Sequence, residues 1–189
     1  MNLDALEAAI RAALARKGRA VAALDGQAAA GKTTAAAQLA ARLDAAVVHM
    51  DDFFLPGELR TQARLAQPGG NVHYERFAAE VAAPLKAGRP CRYRVFDCSR
   101  MDYAGTRVVD APVVLVEGAY SLHPFFAADL YDVTAFFAIG PALQEARIRA
   151  RGGDACWPAF RDKWIPLEQA YDRRFDIRGH CSLLLAAEE

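Results

Sequence analysis

Short apolar runs alternate with helix-forming segments along most of the chain. The apolar runs are bounded by turn residues and predict strands at 20–25, 45–50, 91–98, 106–110, 112–118 and 132–140. Apolar residues at helical spacing, or runs of strong helix formers, predict helices within 1–20, 32–43, 74–88, 142–153 and 166–175. Apolar strands that alternate with helices are buried on both faces of a sheet. The pattern therefore predicts an α/β fold with a parallel sheet and crossover helices.

Two segments are harder to place. Pro84 lies inside the predicted helix over 74–88 and is expected to end or kink it early. The stretch 165–185 could complete the sheet, pair with another subunit or cover a binding site. The stretch includes most of the last apolar run of the chain, 181–187, and the sequence does not distinguish among these alternatives.

Length and composition narrow the class of protein. With 189 residues, 53% hydrophobic and 24% charged, the chain can form one sizeable core, and we expect a single domain over 1–189. A net charge of zero gives no support for a nucleic-acid partner. The cysteines and histidines lack the spacing of a zinc site. No apolar run reaches the roughly 20 residues of a membrane helix, and the N-terminus lacks a signal-peptide core, so we expect a cytoplasmic protein without a membrane partner.

The segment GQAAAGKT at 26–33 matches the phosphate-binding pattern G-x-x-x-x-G-K-[ST] at every fixed position, between a predicted strand and a predicted helix. Gly26 and Gly31 let backbone N–H groups point at phosphate oxygens, and the helix N-terminus adds the positive end of its dipole. Lys32 would reach the β- and γ-phosphates. We therefore predict a nucleoside triphosphate site formed by Gly26, Gln27, Ala28, Ala29, Ala30, Gly31, Lys32, Thr33 and Thr34.

Other motifs favour ATP and Mg²⁺ as the cofactors. The chain has neither the N-K-x-D motif of GTPases nor their D-x-x-G after the second apolar strand. The strand at 112–118 carries one carboxylate, Glu117, instead of the Asp-Glu pair of motor ATPases. A carboxylate at the carboxyl end of a strand beside the phosphate loop is well placed to hold a magnesium-bound water. Thr33 and Glu117 are therefore predicted to organise Mg²⁺.

Two acidic residues, Asp51 and Asp52, follow the predicted strand at 45–50 directly. Phosphoryl transfer to an alcohol needs a group that accepts the hydroxyl proton, and a carboxylate near the magnesium suits that task. Adjacent side chains on an extended backbone point to opposite sides. We therefore expect only one of the pair to face the phosphates and the other to cap a turn or helix.

Five features follow one another in the order found in uridine kinases: the phosphate loop, DDFF at 51–54, YRVFDCSR at 93–100, VEGAY at 116–120 and ARIRAR at 146–151. The chain thus resembles, over about 20–151, the uridine kinase and phosphoribulokinase group of P-loop kinases. The resemblance implies a P-loop NTPase fold of the NMP-kinase type, a three-layer sandwich with a mainly parallel five-stranded sheet. It also implies a helical lid, here about 141–165, and transfer from Mg-ATP to a hydroxyl of a small acceptor.

The resemblance also assigns roles to particular residues. Asp51 matches the family's general base, and Glu117 matches the acidic residue of its EG motif near magnesium and acceptor. The residues taken as lining the acceptor site are Asp51, Phe53, His73, Tyr93, Arg100 and Glu117, with His73 from a looser match over 68–77. The chain departs from the family at Cys98, where the histidine that contacts a pyrimidine base is expected. A thiol is a poor hydrogen-bonding group, and His49 or His73 could replace it.

The arginine-rich segment is the predicted lid. Arg147 and Arg151 share one helix face, while Arg149 points elsewhere. Closing over the phosphates, Arg147 and Arg151 would stabilise charge that develops during transfer, with Gly152 and Gly153 as a hinge.

The sequence therefore predicts an ATP-dependent small-molecule kinase whose acceptor is nucleoside-like, with a pyrimidine nucleoside as first choice. Three alternatives stay open: a nucleoside monophosphate kinase, which would need an arginine clamp, a kinase of another alcohol such as nicotinamide riboside or pantothenate, and a nucleotide-binding regulator without transfer activity. The arginines available for such a clamp are Arg60, Arg64, Arg76, Arg92, Arg94 and Arg100. Association into a homo-oligomer also stays open.

Overall fold

A five-stranded, wholly parallel sheet forms the centre of the computed structural model, which describes residues 2–187. The strands are β1 (Ala20–Gly26), β2 (Ala46–His49), β3 (Cys91–Asp97), β4 (Asp102–Val109), β5 (Val113–Glu117), β6 (Val133–Ala138) and β7 (Leu183–Ala186). The central sheet has the order β2-β5-β1-β6-β7, and β3 pairs with β4 in a separate antiparallel hairpin. The predicted mainly parallel five-stranded sheet is confirmed, and the fifth strand comes from the run at 181–187.

Nine α-helical segments surround this sheet within residues 2–187. They are α1 (Asp4–Lys17), α2 (Lys32–Leu43), α3 (Gln62–Leu65), α4 (Tyr74–Phe77), α5 (Ala83–Lys86), α6 (Pro124–Ala127), α7 (Pro141–Gly152), α8 (Trp157–Ala159) and α9 (Ile165–Phe175). One hydrophobic core contains Leu6, Ile10 and Leu39 of α1 and α2, and the other contains Phe77 and Tyr171 of α4 and α9. Both cores contain residues of β1 and β5, so apolar side chains cover both faces of the sheet.

Of the two outcomes expected at Pro84, an early end or a kink, the early end was wrong. Helical backbone runs from α4 through a π-helical turn at Ala78–Ala82 into α5, which ends at Lys86. A proline inside a helix removes one N–H donor and crowds the carbonyl four residues earlier. The wider π turn just before Pro84 relieves that crowding, because it shifts the hydrogen-bond pattern by one residue. A second π turn, Phe160–Trp164, precedes Pro166 in the same way.

The order of the strands determines where the functional segments meet. Strand β1 lies between β5 and β6, and β5 lies between β1 and β2. The carboxyl ends of β1, β5 and β2 are therefore neighbours, and the segments that follow them meet at one edge. No helix within 2–187 has the length and apolar character needed to cross a membrane.

A cleft at the carboxyl edge of the sheet

A cleft of about 900 Å³ opens at the carboxyl ends of β1, β5 and β2. Its walls are the phosphate loop, the segment after β2, the segment after β5, and side chains from the predicted lid and α9. Every P-loop position from Ala28 to Thr34 lines it, together with Asp51 and Glu117, while Gly26 and Gln27 lie outside the lining. The sequence motifs therefore meet in a single cavity, as expected from the strand order.

The two glycines of the phosphate-binding motif are required for different structural reasons. Gly26 has φ 136°, and a Cβ there would lie 2.2 Å from the carbonyl oxygen of Phe137 in β6. Gly31, at the start of α2, has φ 97° with open space around it, so only its backbone conformation requires glycine. Gly26 therefore provides the close contact with β6, and Gly31 provides the left-handed turn into α2.

Replacing Gly26 with alanine is expected to lower the free energy of unfolding by about 3 kcal/mol or more, since the new methyl would meet backbone atoms. Gly18→Ala is the matched control. Gly18 also has a left-handed φ, 71°, but has open space, so its cost should be about 1–2 kcal/mol. Urea unfolding of both variants measures the difference, and equal losses would contradict this account of Gly26.

Lys32 is buried and folds back over the loop that precedes it. Its Nζ donates to the carbonyl oxygens of Gly26 at 2.7 Å and Gln27 at 2.8 Å. The Gln27 side chain is in turn held by the N–H of Ile139, at 2.9 Å. The ammonium group thus lies at the base of the cleft, where it can reach phosphate oxygens held by the loop.

Thr33 and Glu117 lie side by side, as their predicted shared role requires. The Thr33 hydroxyl is 3.2 Å and 3.3 Å from the two carboxylate oxygens of Glu117. His49 Nδ1 lies 2.5 Å from Glu117 Oε1, and this contact raises the pKa of His49. His49 thus orients Glu117. A hydroxyl and a carboxylate are the hard oxygen ligands that Mg²⁺ prefers, so the pair fits a magnesium ion that also binds phosphates and water.

Asp51 and Asp52 point to opposite sides, and Asp51 is the one that lines the cleft. Its carboxylate faces open solvent within the cavity, but the walls displace much of its hydration. This partial burial, together with the Glu117 carboxylate, raises the pKa of Asp51. Asp52 instead accepts a hydrogen bond from the Tyr93 hydroxyl at 3.2 Å and lies 3.5 Å from Arg107. It thus joins the segment after β2 to the β3–β4 hairpin and does not form the expected helix or turn cap.

A buried carboxylate that sequence reasoning missed, Asp25, ties the phosphate loop to two other elements. It accepts hydrogen bonds from the backbone N–H groups of Gly26 (2.7 Å), Tyr120 (3.1 Å) and Leu122 (2.9 Å), and from the Tyr171 hydroxyl (2.9 Å). Its burial raises its pKa. Asp25 therefore fixes the segment after β5 and helix α9 relative to the loop.

A second carboxylate missed by the sequence motifs, Glu168 on α9, reaches the phosphate loop itself. Its Oε2 accepts a hydrogen bond of 2.8 Å from the backbone N–H of Ala28. Burial raises the pKa of Glu168 to about 7, against the opposing effect of Lys32. The only sequence signal was an acidic residue in an amphipathic helix, which is typical of a solvated surface.

The far side of the cleft is built from residues that differ in part from those predicted. Its lining side chains include Phe54, Arg60, Asn71, Cys98, Met101 and Trp164. Phe53 is fully buried and packs against Phe77 and Tyr93. Tyr93 is buried against Asp52, while His73 and Arg100 also lie outside the cleft lining. The structure therefore does not bring Phe53, His73, Tyr93 or Arg100 to the cavity: Phe53 and Tyr93 face the core, and Arg100 is exposed in the turn after β3.

The two lid arginines that were predicted to act together both line the cleft. Arg147 Nη1 approaches the carbonyl oxygen of Ala29 at 3.4 Å, and the Arg151 guanidinium lies over the Phe160 ring at 5.6 Å. Arg149 points away and pairs with Glu145 and Asp154. The expected division of the three arginines between the two sides of α7 thus agrees with the structure.

No protein-family model matches the sequence, and no curated protein matches it. Solved structures do resemble the chain. A protein from Silicibacter sp. TM1040, proposed to be a fructose transport system kinase, has a TM-score of 0.74 and 25% sequence identity, over 97% of this chain and 98% of that one. A protein from Bacillus stearothermophilus, proposed to be a uridine kinase, has a TM-score of 0.66 and 19% identity, over 96% and 99%.

The chain also resembles a circularly permuted P-loop protein from Saccharomyces cerevisiae that is proposed to be a kinase. The TM-score is 0.64 and the identity 11%, over the full length of both chains. The structural neighbours are thus uridine kinase-like and other P-loop kinases. Together with the parallel sheet and the phosphate loop, they give the chain the α/β P-loop NTPase fold in the form found in kinases.

Proposed function

We propose that the protein is an ATP-dependent kinase that transfers the γ-phosphate to a hydroxyl of a small acceptor. The observation that carries the proposal is the meeting of three groups in one cleft: Lys32 at the phosphate loop, the Thr33–Glu117 pair, and the Asp51 carboxylate. A nucleotide-binding protein needs the first two groups. A carboxylate beside them, open to a second ligand, is a requirement of transfer to an alcohol.

Lys32 and the loop amides bind the phosphates of ATP, and Lys32 offsets charge on the β- and γ-phosphates. Thr33 and Glu117 are the residues that would hold Mg²⁺, which supplies further charge neutralisation to the transferring group when bound. The lid residues Arg147 and Arg151 face the same space and add positive charge where negative charge develops during transfer.

Asp51 takes the proton of the acceptor. The hydroxyl oxygen forms a bond to the γ-phosphorus, the bond from that phosphorus to the β-bridging oxygen breaks, and its electron pair leaves with ADP. The hydroxyl proton passes to the Asp51 carboxylate. A raised pKa makes Asp51 a stronger base than an ordinary aspartate.

A pyrimidine nucleoside is the first acceptor to test, on the basis of the uridine kinase resemblance and the neighbour from Bacillus stearothermophilus. A cleft of about 900 Å³ has room for ATP phosphates and a nucleoside-sized acceptor. Cys98 does line the cleft, at the position where the family has its base-contacting histidine. Neither His49, bound to Glu117, nor His73, outside the cleft, replaces that histidine. A kinase of a different alcohol is therefore favoured as the second candidate.

Acceptor-dependent ADP release from Mg-ATP tests the proposal. Uridine, cytidine, nicotinamide riboside, pantothenate, UMP and CMP form the panel. A kinase should release ADP only in the presence of its acceptor, whereas a nucleotide-binding regulator would show no dependence on any of them.

The affinity for Mg-ATP is expected to fall as the pH rises through about 7, because ionised Glu168 competes with phosphate for the Ala28 amide and for Lys32. A change of about tenfold between pH 6 and pH 8 is reasonable for one carboxylate near phosphate. Binding measured by calorimetry at both pH values, in wild type and Glu168→Gln, isolates the effect, since the titration of ATP itself is common to both. The same pH dependence in both proteins would contradict this role.

A further inference from the structure

The six arginines that could form an anion clamp are distributed very unevenly around the cleft. Arg64 pairs with Glu75, Arg94 pairs with Glu80, and Arg76 is buried against the carbonyl oxygens of Asp52 and Arg94. Arg92 and Arg100 are exposed and lie outside the cleft lining. Of this set, only Arg60 faces the cavity. The acceptor side thus offers one guanidinium instead of a clamp of several.

Arg60 is positioned by the protein but not neutralised by it. Its Nε donates to the carbonyl oxygen of Leu55 at 2.6 Å, which fixes the side chain. None of the ion pairs among residues 2–187 involves Arg60. The charges of Arg60 and Asp51 act in opposite directions on the pKa of the Cys98 thiol, which burial raises. Arg60 and Asp51 both line the cleft, and both lie close enough to Cys98 to act on it.

Asn71 lines the same two cavities as Arg60 and is an unusual buried group. Its backbone carbonyl accepts the N–H of Leu55 at 3.1 Å, so Leu55 holds both the Arg60 side chain and the Asn71 backbone. Asn71 is 6% exposed, it lines the cleft, and neither its amide oxygen nor its amide nitrogen has a hydrogen-bond partner. The Tyr120 hydroxyl, also on the cleft wall, interacts with the Asn71 side chain but makes no hydrogen bond of 3.5 Å or less. Buried polar groups are nearly always fully hydrogen-bonded, so this weakly joined pair leaves hydrogen-bonding capacity at the cleft wall that a ligand can use.

The space around these groups extends beyond the main cleft. A side cavity of about 320 Å³ shares Phe54, Arg60, Asn71 and Trp164 with it. Phe54 and Trp164 form an edge-to-face aromatic pair, with ring centroids 5.9 Å apart. The lining of the side cavity also includes two exposed residues, Asp162, which pairs with Arg161, and Lys163, which lies over the Trp164 ring. A largely apolar wall with the fixed Arg60 cation suits a ligand that has a small apolar body and an anionic end.

We infer that the acceptor is an alcohol with one anionic group, a carboxylate or a monophosphate, which binds to Arg60 with Asn71 beside it. The inference rests on the proposed kinase function, since it places the reacting hydroxyl toward Asp51. Guanidinium binds the oxygens of either anion through its two free ends, and the Asn71 amide donates a further hydrogen bond. A fixed guanidinium without a carboxylate partner matches an anionic group of the ligand, whereas a neutral nucleoside leaves Arg60 unpaired in the cleft.

Matched pairs of neutral and anionic alcohols test the inference. Ribose and ribose 5-phosphate, glycerol and glycerate, and pantothenol and pantothenate separate the anionic group from the rest of the ligand and distinguish phosphate from carboxylate. Binding is measured by calorimetry in the presence of Mg-AMP-PNP, and ADP release is measured separately with ATP. At least one anionic compound should bind 30-fold or more tightly than its neutral twin, a typical effect of roughly 2 kcal/mol for a charged hydrogen-bonded pair.

Four variants test whether the preference for the anionic compound depends on Arg60 and Asn71. Arg60→Met, close in size, should reduce it to less than about threefold, and Arg60→Lys should retain part of it. Asn71→Asp adds a negative charge beside the site, so it should weaken the anionic compound by tenfold or more and leave the neutral twin unchanged. Arg92→Met, an exposed arginine on β3 outside the cleft, is the control and should behave like wild type. Thermal unfolding of each variant checks that the fold is retained.

Each outcome has a defined meaning. Equal binding of the twins, no binding of any anionic compound, or a preference that survives in Arg60→Met would overturn the inference. Efficient ADP release with uridine or cytidine that is unaffected in Arg60→Met would also overturn it, while leaving the kinase proposal intact. An Arg60-dependent anion preference without ADP release from any acceptor would support the anion site and contradict the kinase function.

Discussion

Asp51→Asn is expected to lower kcat for phosphoryl transfer by about 10²–10⁴-fold while leaving the affinity for Mg-ATP nearly unchanged. The amide has the same shape as the carboxylate but cannot accept the proton of the acceptor hydroxyl. Asp51 makes no contact that holds the phosphate loop together, so nucleotide binding should survive. Steady-state ADP release and ATP binding by calorimetry, on the same preparation, measure the two effects.

The neighbouring carboxylate provides the matched control. Asp52 is bound to Tyr93 and Arg107 on the core side of the segment, so Asp52→Asn should lower stability but retain most of kcat. The loss of a charge-assisted contact at a largely buried group is worth about 1–3 kcal/mol. A larger loss of kcat in Asp52→Asn than in Asp51→Asn would contradict the assignment of the base.

Lys32→Met should lower kcat/KM by about 10²–10³-fold, equivalent to roughly 3–4 kcal/mol of transition-state stabilisation. Lys32 is buried at the base of the cleft, and its Nζ donates to the carbonyl oxygens of Gly26 and Gln27 in the phosphate loop. Methionine keeps the length of the side chain and removes the charge. The loss should therefore appear in nucleotide binding as well as in kcat, unlike that of Asp51→Asn.

Lys17→Met is a suitable comparison for Lys32→Met. Lys17, at the end of α1, pairs with Asp132 near the amino end of β1, whereas the loop follows the carboxyl end of β1. Lys17 is exposed and lies outside the cleft lining, so kcat/KM should stay within twofold of wild type. Near-normal turnover in Lys32→Met would contradict the role of the loop in transfer.

The sequence predicted the meeting of the phosphate loop, Asp51 and Glu117 because each follows an apolar strand. In a parallel sheet the carboxyl ends of all strands lie at one edge, so a local motif at each strand end determines a shared location. The pattern could not predict that β7 joins the sheet, since strand partners across the whole chain decide whether a short apolar run pairs.

The details of the acceptor side were less predictable. Phe53 and Phe54 are adjacent residues of the same type, so the sequence does not distinguish them. The packing of Phe53 against Phe77 determines that Phe54 is the one that faces the cleft. Asp25 and Glu168 reach the loop through contacts with residues about 95 to 146 positions away in sequence. Such long-range hydrogen bonds leave no periodic pattern in the sequence. From the sequence alone, a carboxylate in a strand is interpreted as part of the core, and one in an amphipathic helix is interpreted as part of the surface.

The most direct test of the central claim is acceptor-dependent ADP formation from Mg-ATP, with wild type and Asp51→Asn measured in parallel against the nucleosides and the anionic alcohols. The account predicts rapid ADP release by wild type with at least one acceptor, a low rate without it, and loss of the acceptor-dependent rate in Asp51→Asn with ATP binding intact. A rate of ADP release that does not increase with any acceptor, or that is equal in wild type and Asp51→Asn, would contradict the account.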